Sequence, residues 1–289
     1  MRFFDFFAGI GGFRLGMEMA GHECVGHCEI DKYAQLSYNA MHSPKETEVF
    51  FDDIRTIDAS NMPECECYCF GFPCQSFSIS GHRRGFNDTR GTLFFEVMRL
   101  AKERQPQILF AENVAGLLNH EGGITFGIII STMAELGYSV EWQVLNSRNF
   151  GVPQNRKRVF IIGHYRNGSA GTVFPITETN RPTGACIKRF AHSKGYRRVN
   201  QTYCLRSSIE TLDCMQGGGK QPHIVLCDDL NDRVRIRRLT PKECFRLQGF
   251  PDEYFERAAK VCSDTQLYKQ AGNSVTVNVI YEIARRLKT

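Results

Sequence analysis

The sequence predicts an α/β protein, a mostly parallel sheet wrapped by helices, with a smaller loop-rich domain following it. Two observations carry this. Through residue 164 strand-like and helix-like segments alternate, as βαβ units do. From Tyr165 that alternation gives way to Gly, Thr, Asn, Pro and basic residues, and helical periodicity is absent until about Pro241.

Phe3 to Phe7 reads as a buried first strand, followed by a glycine turn and a helix from Phe13 to Ala20. Glu23 to Glu29 reads as a strand and Lys32 to Met41 as a helix. Further strands are expected at Cys67 to Phe70, Gln107 to Ala111 and Arg158 to Gly163, with helices at Thr92 to Glu103 and Gly127 to Leu136. Val275 to Leu287 is amphipathic and is expected to pack back on the first domain. The expected division is therefore 1–164, 165–271 and 272–289.

A chain of 289 residues, 42% apolar and 23% charged, has the make-up of a soluble globular protein with room for one large domain and a small one. No apolar run approaches the ~20 residues that span a bilayer. Asp5 falls too early for a secretory signal, so the twelve cysteines read as reduced cytoplasmic thiols rather than a disulfide framework. Cys65, Cys67 and Cys69 alternate as a half-buried strand does, and no CxxC pair occurs, so no metal site is expected. The net charge of +5 is mild. Its distribution is more informative: six basic residues and no acid lie between Arg181 and Asn200, and Arg233, Arg235, Arg237 and Arg238 cluster later. A solvated face and a phosphate-contacting surface both explain such runs.

Four segments carry candidate chemistry. Asp5-Phe6-Phe7-Ala8-Gly9-Ile10-Gly11-Gly12-Phe13 is a strand, a glycine turn and a helix start, where the backbone can approach a ligand closely. Glu29 ends the next strand, where an acid can accept ribose hydroxyls. The dinucleotide fingerprint GxGxxG needs glycine where Arg14 stands, which disfavours a nicotinamide oxidoreductase. Gly71-Phe72-Pro73-Cys74-Gln75 places Cys74 on a loop after a strand, as nucleophile or as inert packing. Glu112-Asn113-Val114 follows the next strand on the same sheet edge. In Gln154-Asn155-Arg156-Lys157-Arg158 the two arginines have period-two spacing and point to one side. One crevice thus receives a thiol, an acid and two guanidinium groups.

These motifs, in this order, closely resemble the cytosine-5 DNA methyltransferase family over nearly the whole chain. The stretch from Arg238-Leu239-Thr240-Pro241 to Gln248-Gly249-Phe250-Pro251 and the closing Gly272-Asn273-Ser274-Val275 complete the resemblance. It implies a Rossmann-like S-adenosylmethionine-dependent methyltransferase sheet with a smaller target-recognition domain. It implies that Cys74 adds to C6 of a flipped-out cytosine, that Glu112 holds the N3 edge, and that Arg158 meets the O2 side. Arg156 would support the nucleophile's surroundings.

For S-adenosyl-L-methionine, and S-adenosyl-L-homocysteine as product, the resemblance implies Phe7, Ala8, Gly9, Ile10, Gly11, Gly12, Glu29, Ile30, Asp53, Ile54, Gly71, Pro73, Leu93, Asn273 and Val275. For double-stranded DNA it implies Gln75, Ser78, Arg83 and Arg84 in a catalytic loop, and Arg206, Thr211, Gln216 and Gly217 in the recognition domain. The whole would be a cytoplasmic, monomeric modification enzyme of bacterial or phage type, which a restriction endonuclease for the same site can accompany. Two readings stand against it, one within the family and one from a different class. A tRNA cytosine methyltransferase of related kind carries Cys-Phe-Thr in the recognition domain, whereas Cys244-Phe245 here precedes Arg246. A non-catalytic DNA-binding relative would be expected to lose Cys74 or Glu112, and both are present.

Overall fold

A computed structural model of the chain describes residues 1–72, 93–165, 172–177, 202–204, 209–210, 223–228 and 233–288. Its centre is a seven-stranded sheet. The strands are β1 (Arg2–Phe6), β2 (Glu23–Cys28), β3 (Val49–Phe51), β4 (Cys67–Gly71), β5 (Ile108–Val114), β6 (Tyr138–Asn146) and β8 (Lys157–Tyr165). Their order is β3-β2-β1-β4-β5-β8-β6. The first five pair in parallel, and β8 is antiparallel to both β5 and β6.

Strands buried on both faces read as unbroken apolar runs rather than as alternation. That is why β1, β4 and β5 are so apolar. Phe4 and Phe6 of β1, with Tyr68, Phe70, Leu109 and Ala111, join one core. Phe3, Cys67, Cys69, Ile108 and Phe110 join another on the opposite face. Helices α3 (Leu93–Arg104) and α4 (Ile124–Glu135) cover the first face through Phe94, Val97, Met98, Ile129 and Met133. Helices α1 (Gly12–Met19) and α8 (Val277–Ala284) cover the second through Phe13, Met17, Val279, Ile280 and Ile283. Gly16 makes that cover close-fitting, because a Cβ there would stand 2.6 Å from Cβ of Ile280.

A third core brings α2 (Lys32–His42) together with α5 (Pro241–Leu247), α6 (Asp252–Ala258) and α7 (Asp264–Asn273). It joins Ile10, Leu15 and Met41 to Leu239, Phe245, Leu267, Ala271 and Val277. Helix α5 starts where the sequence pattern resumes. Thr240 and Glu243 form a reciprocal capping box, with Pro241 at the first helical position. Between residues 202 and 238 the backbone forms a three-stranded sheet of β9 (Thr202–Cys204), β11 (His223–Asp228) and β12 (Arg233–Arg238). In addition β10 (Ile209–Glu210) pairs in parallel with β7 (Gln154–Asn155).

One expectation needs correction. Glu112, Asn113 and Val114 do not follow β5 but belong to it, because the strand is extended by its antiparallel partner, with Glu112 opposite Phe160 and Val114 opposite Arg158.

Candidate active site

The order of the parallel strands reverses between β1 and β4, and in such sheets ligands bind beyond the strand carboxyl ends at that switch point. There lies a cleft of about 900 Å³. Phe7, Glu29 and Phe72, just beyond the ends of β1, β2 and β4, line it together with Glu112, within the last residues of the neighbouring β5.

The turn from β1 into α1 is tight. Phe7, Gly9 and Gly11 all have left-handed backbone, with φ of 55°, 56° and 77°. Glycine adopts this without cost, whereas Phe7 must be held there by its surroundings. The restraints are specific. Gly9 N–H donates to Oε2 of Glu29 at 2.7 Å, Gly11 N–H to the Ala8 carbonyl at 2.8 Å, and Ala8 N–H to the Cys28 carbonyl at 3.1 Å. Nε2 of His42 donates to the Ile10 carbonyl at 3.0 Å. Burial, helped by the nearby Arg14 charge, pushes this imidazole down to about 3, so it stays neutral with its proton on Nε2. Gly12 is required for another reason: a Cβ there would stand 2.7 Å from Ser274 Oγ and 2.8 Å from Val275 Cγ2.

Across the turn, Glu29 also accepts the Asp31 N–H at 2.7 Å. Burial raises its carboxyl pKa, opposed by those amide donors. Asp53 caps a short turn over Ile54–Thr56 and is held by Arg55, at 2.6 Å from Nη2 to Oδ2. Together with Ile30, which is 68% exposed, and Ile54, these residues give the cleft apolar walls and carboxylates that can accept hydroxyl and amine protons.

Glu112 is 8% exposed, and its Oε1 lies 3.0 Å from Nε of Arg158. Gly71 lies against the same acid, since a Cβ there would be 3.6 Å from Oε2 of Glu112. Arg156 is turned inward. Its Nη1 and Nη2 donate to the Gly272 and Ser274 carbonyls at 3.2 and 2.8 Å, and burial pushes its guanidinium down to about 9. Neighbouring polar side chains extend this weave. Gln154 Nε2 donates to the Leu247 carbonyl at 2.8 Å, Gln248 Nε2 to the Ala271 carbonyl at 2.7 Å, and Thr276 Oγ1 to Gln248 Oε1 at 3.0 Å. Three sequence motifs, around residues 154, 248 and 273, are thus one hydrogen-bonded unit under the cleft.

Of the expected cofactor residues, Phe7, Ala8, Gly9, Gly12, Glu29, Ile30, Asp53, Ile54, Gly71, Leu93, Asn273 and Val275 line the cleft, as do Glu112, Arg156 and Arg158. Ile10 and Gly11 are not among its lining. The Ile10 side chain is buried in the core with Leu15 and Met41, and Gly11 abuts the His42 ring. Pro73, Cys74, Gln75, Ser78, Arg83, Arg84, Arg206, Thr211, Gln216 and Gly217 lie outside the described residues.

Sequence reasoning missed Asp31 and Lys269, paired at 2.6 Å on the cleft wall, and Asn113, whose Nδ2 donates to the Phe72 carbonyl at 2.7 Å. Asp31 is the N-cap of α2, and its partner lies 238 residues away, where no local pattern reaches.

The arrangement suits a nucleoside-type ligand beside an acid–arginine pair that can grip the polar edge of a second heterocycle. A sequence profile of the family described as C-5 cytosine-specific DNA methylase matches residues 1–210 and 178–289. The chain is 34% identical to Type II methyltransferase M.HhaI of Haemophilus parahaemolyticus, over 98% of this chain and 93% of that protein. It is 36% identical to Type II methyltransferase M.HpaII of Haemophilus parainfluenzae, over 99% and 88%. Its fold matches that of the S. pombe Dnmt2 methyltransferase with a TM-score of 0.75 at 20% identity, covering 98% of this chain and 97% of that one.

Proposed function

We propose how this chain, which belongs to the C-5 cytosine-specific DNA methylase family, divides the work of its reaction among its residues. The chain is a DNA (cytosine-5-)-methyltransferase that uses S-adenosylmethionine. The single observation that carries the assignment of roles is the Glu112–Arg158 pair, one strand over from the chain that runs directly into Pro73-Cys74.

C5 of cytosine is a poor nucleophile until a group adds at C6. In this reading the Cys74 thiolate makes that bond, while Glu112 holds a proton at N3 and Arg158 donates to O2, so that charge entering the ring is neutralised where it develops. C5 then takes the methyl group, its proton departs to a base, and Cys74 is eliminated, which restores the ring. The cofactor residues present fit this donor: Glu29 for the ribose hydroxyls, Ile30 and Ile54 for the adenine faces, Asp53 for the adenine edge, and a glycine turn held tightly against Ser274 and Val275 at Gly12. When bound, S-adenosylmethionine supplies an electrophilic methyl group. Arg156 holds the 272–274 segment rather than the base, because both of its described donors go to backbone carbonyls there.

Target access requires the cytosine to leave the duplex. We assign the catalytic unit to residues 1–165 with 239–288, since α5 to α7 share a core with α1 and α2, and target recognition to the segment between. The same reading makes the protein a cytoplasmic monomer whose methylation protects a site from a cognate restriction endonuclease. The Type II naming of the relatives supports the pairing with an endonuclease.

Duplex DNA with 5-fluorocytosine at the target tests the scheme. Fluorine cannot leave as the proton does, so wild-type enzyme with S-adenosylmethionine accumulates a denaturant-resistant complex with the DNA. Cys74→Ser gives none. A complex formed equally by the serine variant would overturn the nucleophile assignment.

A further inference from the structure

The β4–β5 ladder ends with Gly71 opposite Glu112. Two residues further stands Pro73, which has no N–H to give to a continued ladder. A side chain takes over there. Asn113 is 3% exposed; its Nδ2 donates to the Phe72 carbonyl at 2.7 Å, and its Oδ1 accepts the Val114 N–H at 2.8 Å. Those two bonds fix which way the amide faces, since a backbone N–H needs an acceptor and a carbonyl needs a donor.

We propose that Asn113 is a positioning residue for methyl transfer: its bond to the Phe72 carbonyl sets the spacing between the strand end that leads into Cys74 and the one that carries Glu112. The inference rests on the roles given above to Cys74 and Glu112. Asn113 is adjacent in sequence to the acid, and Phe72 stands two residues before the nucleophile. The amide thus joins the roots of the two groups that must meet opposite edges of one pyrimidine ring. Both Phe72 and Asn113 line the cleft, and Phe72 is anchored below by the Phe94 ring at a centroid distance of 5.2 Å. With the ring fixed, the amide bond governs the direction of the carbonyl and of the peptide that follows it.

A positioning role separates from cofactor binding, which the far side of the cleft supplies through Glu29 and Asp53. The test measures single-turnover methyl transfer at saturating duplex DNA and S-adenosylmethionine, and S-adenosylhomocysteine affinity by calorimetry. The proteins are wild type, Asn113→Asp, Asn113→Leu and Cys74→Ala. Asn113→Asp keeps the shape and the Val114 bond but turns two acceptors on each other; Asn113→Leu removes the donor without adding charge beside Glu112. Both are expected to lose on the order of 10²-fold in transfer rate, the scale of a 1 Å misplacement of reacting groups, while S-adenosylhomocysteine affinity stays within about twofold. Capture on 5-fluorocytosine DNA should slow by the same factor.

Transfer within about threefold of wild type in both variants, or a loss matched by lost S-adenosylhomocysteine affinity, overturns the inference even if Cys74→Ala is inactive. An active Cys74→Ala instead overturns the nucleophile assignment beneath it. If the leucine variant binds no S-adenosylhomocysteine, the aspartate variant decides.

Discussion

Nε of Arg158 lies 3.0 Å from Oε1 of Glu112, and the strand pairing explains why. β5 and β8 run antiparallel with Glu112 opposite Phe160 and Val114 opposite Arg158, so the acid and the guanidinium are diagonal neighbours on one face. Glu112→Gln should lower the single-turnover rate by about 10²–10⁴-fold, the usual scale of proton assistance. Arg158→Ala should lower it less than additively when combined with Glu112→Gln, because the two serve one ring in concert. A strictly additive double variant would separate their roles.

Arg14 is needed where a dinucleotide site would have glycine, and the fold shows its use. It is buried between Glu48, at 2.6 and 2.9 Å, Glu18, at 2.9 Å, and the Tyr38 hydroxyl, at 3.2 Å. Glu48→Ala leaves a buried guanidinium without its bidentate partner and should cost about 3–5 kcal/mol of stability. Urea unfolding followed through the single tryptophan, Trp142, measures it.

Gly12→Ala should disturb the cofactor side selectively. The added methyl group meets Ser274 and Val275 below 3.0 Å, an overpacking that costs about 1–3 kcal/mol. If the turn yields rather than the 274–275 backbone, S-adenosylhomocysteine affinity falls by about tenfold or more, as calorimetry would show. Unchanged affinity would mean that the 274–275 segment gives way and the turn keeps its shape.

The cap of α5 predicts a pH signature. Arg237, with the Thr240 donors, pushes the Glu243 carboxyl from 4.5 down to about 2. A depressed folded pKa contributes stability above the unfolded value and loses it as pH falls through the folded one. The pair is partly solvated, at 39% and 28% side-chain exposure, so screening leaves about 1 kcal/mol. Arg237→Ala should therefore be less stable than wild type by a constant amount from neutral pH to about 4.5, and the gap should narrow below that.

Much of this was written in the residue pattern, because the central strands are mostly apolar and each helix beside them has one buried face. β6 was overlooked although Val140, Trp142 and Val144 alternate as a strand should; β3, three residues long, offers too short a pattern to read. The ends of β5 and β8 eluded reading because antiparallel pairing lengthens both beyond their apolar cores. The glycines announced the turn. Nothing local could announce that Arg156 reaches Gly272, or that Ile10 turns into the core while Gly9 and Gly12 face the cleft. Those facts depend on which distant segments the packing brings together.

Tritium transfer from labelled S-adenosylmethionine, offered to mixed-sequence duplex DNA and to tRNA with wild type and Cys74→Ala side by side, tests the central claim most directly. The account predicts label at C5 of cytosine in the DNA alone, and none with the alanine variant. Label in the tRNA, or full activity without the thiol, would contradict it.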